Sequence, residues 1–64
     1  MKRIKTLKKW GIYQLNDKEL KEYTFNIAVI HPDNMECYSS CLSPSDTDME
    51  LDTLVQAIEW IKNY

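Results

Sequence analysis

The nine residues from Tyr23 to His31 constrain the fold more than any other part of the chain. Tyr23, Phe25, Ile27 and Val29 alternate with Thr24, Asn26 and Ala28. A period of two marks a β-strand with one buried face. Ile30 breaks the polarity but suits a strand. Pro32-Asp33-Asn34 follows, with proline presetting the first turn position and asparagine tolerating the left-handed one. Glu36 to Leu42 then reads as a returning strand. That pairing sets Val29 opposite Cys37, Ile27 opposite Ser39 and Phe25 opposite Cys41, with Asn26, Ser40, Ala28 and Tyr38 on the other face. A slip of one residue would exchange the faces.

Upstream, Lys8 to Leu15 reads as a third strand through Trp10, Ile12 and Tyr13, weakened or bulged at Gly11. Lys8 and Lys9 are the kind of charge that an edge strand carries against aggregation. Asn16 to Glu22 is a polar connection with room for one helical turn. Residues 1–7 form a basic segment with too little pattern to assign, either an extension of the strand or a mobile arm.

The C-terminus reads as a helix. Pro44 punctuates, Ser45-Asp46-Thr47-Asp48 offers caps, and acidic residues crowd the first turn, where the helix dipole favours them. The start lies between Asp46 and Asp52; a start at Asp52 leaves Asp48 to Leu51 extended. Leu51, Leu54, Val55, Ile58 and Ile61 keep the spacing of a buried stripe. At about 100° per residue, Asp48, Asp52 and Glu59 fall on one flank, and Thr53, Ala57, Trp60 and Tyr64 on the other. Trp60 is either packed or, paired with Tyr64, an exposed anchor of the kind enriched in interface hot spots. The expected architecture is α+β: an antiparallel meander of about three strands, with one C-terminal helix packed on one face.

With 64 residues the chain is one domain, residues 1–64. A chain of this size buries only about 60% of the surface its unfolded form exposes, so its core is marginal. No apolar run approaches the roughly 18 residues of a membrane span. The basic N-terminus is not followed by the apolar stretch of a signal peptide. Cys37 and Cys41, on one face of one strand, would lie about 13 Å apart at about 3.3 Å per residue, beyond the reach of a disulfide. Free thiols imply a reducing, cytoplasmic compartment.

Charge is distributed unevenly. Residues 1–22 hold seven basic side chains against three acidic, and residues 23–64 hold seven acidic against Lys62, for a net −2 overall. The two halves either face and neutralise each other or meet a charged partner.

Enzymatic chemistry finds little to work with. His31 is the sole histidine, and its nearest thiol in the expected register is diagonal, outside hydrogen-bond reach. His31, Cys37 and Cys41 fall one short of a structural zinc site. Gly11 is the only glycine, which excludes phosphate loops and dinucleotide fingerprints. The acidic run Asp46 to Asp52 lacks the glycine of a calcium loop. The expectation is a protein with no catalytic centre, cofactor or metal.

Binding is the remaining class. The basic segment, with Trp10 and Tyr13 to stack on bases, is one nucleic-acid reading, but the pI is about 5.2, where such domains are usually above about 9. The opposite reading uses the acidity. A small acidic domain can compete with nucleic acid for a basic groove, and charge complementarity steers that encounter. Antitoxins and phage anti-defence proteins, anti-CRISPR proteins among them, are built at this scale.

Phe25 through Pro32-Asp33-Asn34 and Tyr38, then Asp52-Thr53-Leu54 and Ala57, resembles the strand–turn–strand–helix pattern of HicB-type antitoxins over about half the chain. Leu51 stands where that family usually has a glycine, and the family's apolar Pro-rich second strand is absent. The resemblance implies an inhibitor.

The expected function is therefore inhibition or modulation of a basic partner, a nuclease or other nucleic-acid-processing complex, through Asp48, Asp52, Glu59, Trp60 and Tyr64. Direct nucleic-acid binding, membership of a larger assembly and a homo-oligomer stand as the alternatives; no membrane is implied.

Overall fold

The computed structural model describes residues 1–37 and 42–64. The elements run β1 (Lys2–Leu7), β2 (Trp10–Gln14), α1 (Asp17–Glu22), β3 (Ile27–Ile30), α2 (Pro32–Cys37), a single 3-10 turn (Pro44–Asp46), β4 (Met49–Leu51) and α3 (Leu54–Lys62). The strands form one antiparallel sheet in the order β1-β2-β3-β4. The α+β class and the C-terminal helix are as the sequence predicts. The sheet has four strands rather than three.

The fourth strand comes from the N-terminal segment. Residues 2–14 are a hairpin whose two-residue loop is Lys8-Lys9, with φ of 51° and 72°. A loop with positive φ at both positions matches the right-handed twist of its strands, and Asn-Gly is its usual sequence. The two lysines are therefore a strained turn, not edge-strand charges. One bulge, at Ile4, interrupts the β1–β2 ladder between Arg3 and Lys5. After β2, Asn16 and Glu19 form a reciprocal capping box that starts α1, the helical turn expected there.

The segment after β3 departs from expectation. Pro32 opens a helix instead of a hairpin turn, because a proline at the first helical position lacks only an N–H that would be unpaired anyway. The His31 carbonyl accepts the Asn34 and Met35 N–H groups at 3.0 and 3.1 Å. The returning strand is instead β4, with Val29 opposite Met49 and Ile27 opposite Leu51. This corrects the pairing of Val29 with Cys37. The expected partners Ser39 and Cys41, with Tyr38 and Ser40, lie outside the described residues. Cys37 ends α2, so the shared strand on which the separation of the two thiols rested is not formed.

The helix starts later than either expected position, at Leu54. Met49 to Leu51 is extended, and Thr53 caps α3: its Oγ1 accepts the Gln56 N–H at 3.2 Å, while Gln56 Oε1 accepts the Thr53 N–H at 3.2 Å.

Both faces of the sheet are covered. On one, Trp10, Ile12, Ile27 and Val29 meet Ala57 and Ile61 of α3. On the other, Tyr13, Leu15, Phe25, Ala28 and Ile30 pack with Tyr23, Met35 and Leu42. Double coverage explains why β3 reads Ile-Ala-Val-Ile, with all four residues buried. It also explains Gly11, where a β-carbon would collide with Met35 Sδ and the Tyr13 ring. Glycine there lets α2 lie close to β2.

The helix stripe is rotated from its expected position. Ala57 and Ile61 are fully buried, Ile58 and Trp60 half-buried, whereas Leu54 and Val55 are 36% and 65% exposed. Burying the large Trp60 ring outweighs burying Val55, and the small Ala57 side chain leaves room for the helix to approach.

Candidate protein-binding groove

An aromatic cluster fixes the end of α3. Trp10, the first residue of β2, is buried and lies across the sheet from His31, with ring centroids 4.7 Å apart and planes at 78°. Trp60 and Tyr64, one helical turn apart, meet Trp10 at 5.2 and 5.0 Å, also edge to face. Trp60 and Tyr64 lie 5.2 Å from each other. Edge-to-face contacts satisfy the ring quadrupoles and hold each ring in one orientation.

This cluster forms one wall of an open groove of about 380 Å³, lined by Leu51, Gln56, Glu59, Trp60, Asn63 and Tyr64. Trp60 is half-buried, and Tyr64 is 77% exposed despite its contact with Trp10. Asn63 is held from below, its Nδ2 donating to the Glu59 carbonyl at 2.9 Å. The Glu59 carboxylate stands exposed at the rim.

The structure thus gathers Glu59, Trp60 and Tyr64 of the five expected partner residues. Asp52 follows the groove residue Leu51, and its N–H donates to Gln56 Oε1 at 3.0 Å. Asp48 is a correction. It precedes β4 and lies on no helix, so the expected acidic flank of Asp48, Asp52 and Glu59 does not exist as a helical row. Its carboxylate instead accepts the His31 backbone N–H at 2.7 Å and the Asn34 amide at 2.9 and 3.0 Å. Leu51, Gln56 and Asn63 were not anticipated. Gln56 and Asn63 share the Trp60 side of the helix at about 100° per residue, so periodicity carried that signal once the helix start was known.

The sole histidine, His31, sits between β3 and α2. Its Nδ1 accepts the Asp33 N–H at 3.1 Å, and the Asp33 carboxylate stands 3.7 Å away. Among the described residues no group of three metal-ligating side chains converges, and no helix is long and apolar enough to cross a membrane.

The basic residues collect elsewhere. Lys2, Arg3, Lys5, Lys8 and Lys9 follow β1 and its turn, and the β1 side chains from Lys2 to Thr6 are exposed. Lys8 Nζ donates to the Lys62 carbonyl at 3.4 Å, at the negative end of α3. Trp10 and Tyr13 are only 7% and 8% exposed, so neither offers a face for base stacking. Glu50 lies within β4, and Asp48 and Asp52 flank it, at the opposite edge of the sheet. The two charged segments therefore do not face each other within the molecule.

The Glu19 carboxyl is shifted from its ordinary value. Burial raises the pKa of Glu19, but hydrogen bonds from the Asn16 N–H at 2.9 Å and the Met1 ammonium at 2.8 Å outweigh it, and the net shift is downward.

Comparison with protein-family models, with curated proteins and with solved structures finds no match. The resemblance to HicB-type antitoxins gains nothing from them. The strand–turn–strand part of that pattern is here a strand followed by α2.

Proposed function

We propose that this protein is a non-enzymatic binding protein whose α3 groove seats a basic segment of a nucleic-acid-handling partner, which it thereby inhibits or modulates. The observation that supports this reading is the composition of the groove: an aromatic wall, Trp60 and Tyr64, which both contact Trp10, beside the Glu59 carboxylate, with Asp52 next in sequence to the lining residue Leu51. Aromatic side chains that are already held in place give contact area at little entropic cost. Carboxylates at the rim speed the approach of a cationic partner and reject polyanions. Proteins that handle nucleic acid expose the basic grooves that such a surface complements.

The test is a titration with an Arg/Lys-rich peptide, followed by tryptophan fluorescence, alongside a panel of nucleases assayed with an oligonucleotide substrate. Wild-type protein is expected to bind the peptide and to slow at least one nuclease, both effects weakening as salt rises. Glu59→Lys should lower the association rate, and Tyr64→Ala should raise the dissociation rate. Peptide binding unchanged by both variants overturns the groove. Inhibition that persists in both variants overturns its role.

A further inference from the structure

The sheet order places the most basic strand at one edge and the most acidic at the other. Residues 1–9 carry five basic side chains and no acidic one; residues 46–52 carry Asp46, Asp48, Glu50 and Asp52 and no basic one. β1 and β4 are the two outer strands, and among the described residues no further strand lies beyond either. Each therefore presents a row of backbone N–H and C=O groups to the outside.

We propose that the chain associates with copies of itself head to tail, the basic β1 edge of one copy pairing with the acidic β4 edge of the next. Three features support this occupant over others. First, direction: every neighbouring pair in the sheet is antiparallel, so β1 and β4 run oppositely. A copy displaced sideways across the sheet sets its β4 beside β1 in the antiparallel sense, and the sheet continues.

Second, the side chains match. Arg3 pairs with Tyr13, Tyr13 with Ala28, and Ala28 with Glu50, so Arg3 and Glu50 project from the same face. Lys2 and Lys5 share the other face with Leu51 and Met49, over which their alkyl stems can lie. Opposite charges across a strand pair stabilise it.

Third, the alternatives repel. A symmetric β1–β1 contact opposes lysine to lysine, and a β4–β4 contact opposes acid to acid. Edge charges that block aggregation between like edges thus leave one pairing open, between unlike edges. That contact is heterologous and does not close, so it builds chains rather than a defined dimer. Only three residues of β4 can pair, and the bulge at Ile4 interrupts the β1 edge, so the association is weak and reversible. The inference does not depend on the α3 groove.

Sedimentation over a range of protein concentrations tests it, at about 0.01 M and about 1 M salt, where the Debye length is about 30 Å and about 3 Å. At low salt the average mass should climb above 7.6 kDa with concentration, and at high salt it should return to that value. Arg3→Glu with Lys5→Glu turns β1 (Lys2–Leu7) from a charge of +3 to −1, and Glu50→Lys with Asp52→Lys turns residues 49–52 from −2 to +2. Each double variant alone should lose association by about tenfold or more, and their equimolar mixture should recover it. Circular dichroism checks that both remain folded. A wild-type chain that stays monomeric at low salt overturns the proposal, as do double variants that associate like wild type or a mixture that fails to recover. If the β1 charges instead govern binding of a single-stranded oligonucleotide with no self-association, β1 is a polyanion surface and the proposal is also overturned.

Discussion

Asp48 holds His31 by its backbone, the Oδ2 atom accepting the His31 N–H at 2.7 Å. The same carboxylate takes both contacts from the Asn34 amide, and the Asp48 N–H donates to the Val29 carbonyl at 2.9 Å. One side chain thus joins the end of β3, the start of α2 and the approach to β4. Hydrogen bonds to an ionised acceptor contribute about 1.5–3 kcal/mol each at best, and the exposure of Asp48 lowers that. Asp48→Ala should cost about 1–2 kcal/mol, read as a lower urea midpoint with unchanged slope. An unchanged midpoint would return Asp48 to the class of free surface charges.

The Lys8-Lys9 turn carries strain that its residues do not relieve. L-residues in the left-handed region are disfavoured by about 1–2 kcal/mol, and both lysines occupy positive φ. Lys9→Gly removes that strain and loses no contact observed here, so it should stabilise the fold by about 1 kcal/mol after the entropy of glycine is allowed for. Lys8→Asn should gain less, because it gives up the contact to the Lys62 carbonyl. Thermal unfolding of both variants measures the difference. A destabilised Lys9→Gly variant would contradict the positive φ at that position.

Stability should fall with acid through Glu19. Its folded pKa lies below the ordinary carboxylate value, so its contribution is fully present above the unfolded pKa of about 4.3 and is lost as pH drops through the folded value. The unfolded chain binds the proton first on the way down, so stability rises with pH across that window. Glu19→Gln keeps the shape of the capping box and removes the charge. It should be less stable than wild type near neutral pH, and the gap should narrow below about pH 4. Parallel urea curves at both pH values that keep a constant gap would assign the effect to packing instead.

What the sequence made legible follows from how local each signal is. β3 was legible in part: Ile27 and Val29 share the α3 face as their alternation implies, but the strand spans only Ile27–Ile30, all four buried, and Tyr23 and Phe25 before it pack on the opposite face with Ala28 and Ile30. The C-terminal helix was legible from Ile58 and Ile61. The hairpin turn at Lys8-Lys9 was hidden because its residues are the wrong ones for its geometry; no glycine or asparagine marks it. α2 was hidden because Pro32-Asp33-Asn34 suits a turn and a helix start equally well. The choice between them rests on Asp48, at a separation no local pattern records. In the groove, Trp60 and Tyr64 were legible by type, whereas Leu51 joined them only through the pairing of β4 with β3.

The rotation of α3 gives the sharpest test of this packing. Spacing alone puts Leu54, Val55, Ile58 and Ile61 on one buried stripe, yet the structure buries Ala57 and Ile61 completely and leaves Val55 65% exposed. If α3 sits as observed, Ile61→Ala should cost about 2–5 kcal/mol, the range for a large side chain removed from a core. Val55→Ala should stay within about 0.5 kcal/mol, as surface substitutions do. Trp60→Ala falls between, because the ring is half-buried and loses its edge contact with Trp10 at 5.2 Å. Ala57→Leu discriminates further: a fully buried small residue against the sheet has no space for three more carbons, and overpacking costs about 1–3 kcal/mol. Urea denaturation of the four variants ranks them. Equal losses at Val55 and Ile61, with Ala57→Leu neutral, would turn the helix back onto the stripe its sequence spacing describes and lift Trp60 out of its contact with Trp10.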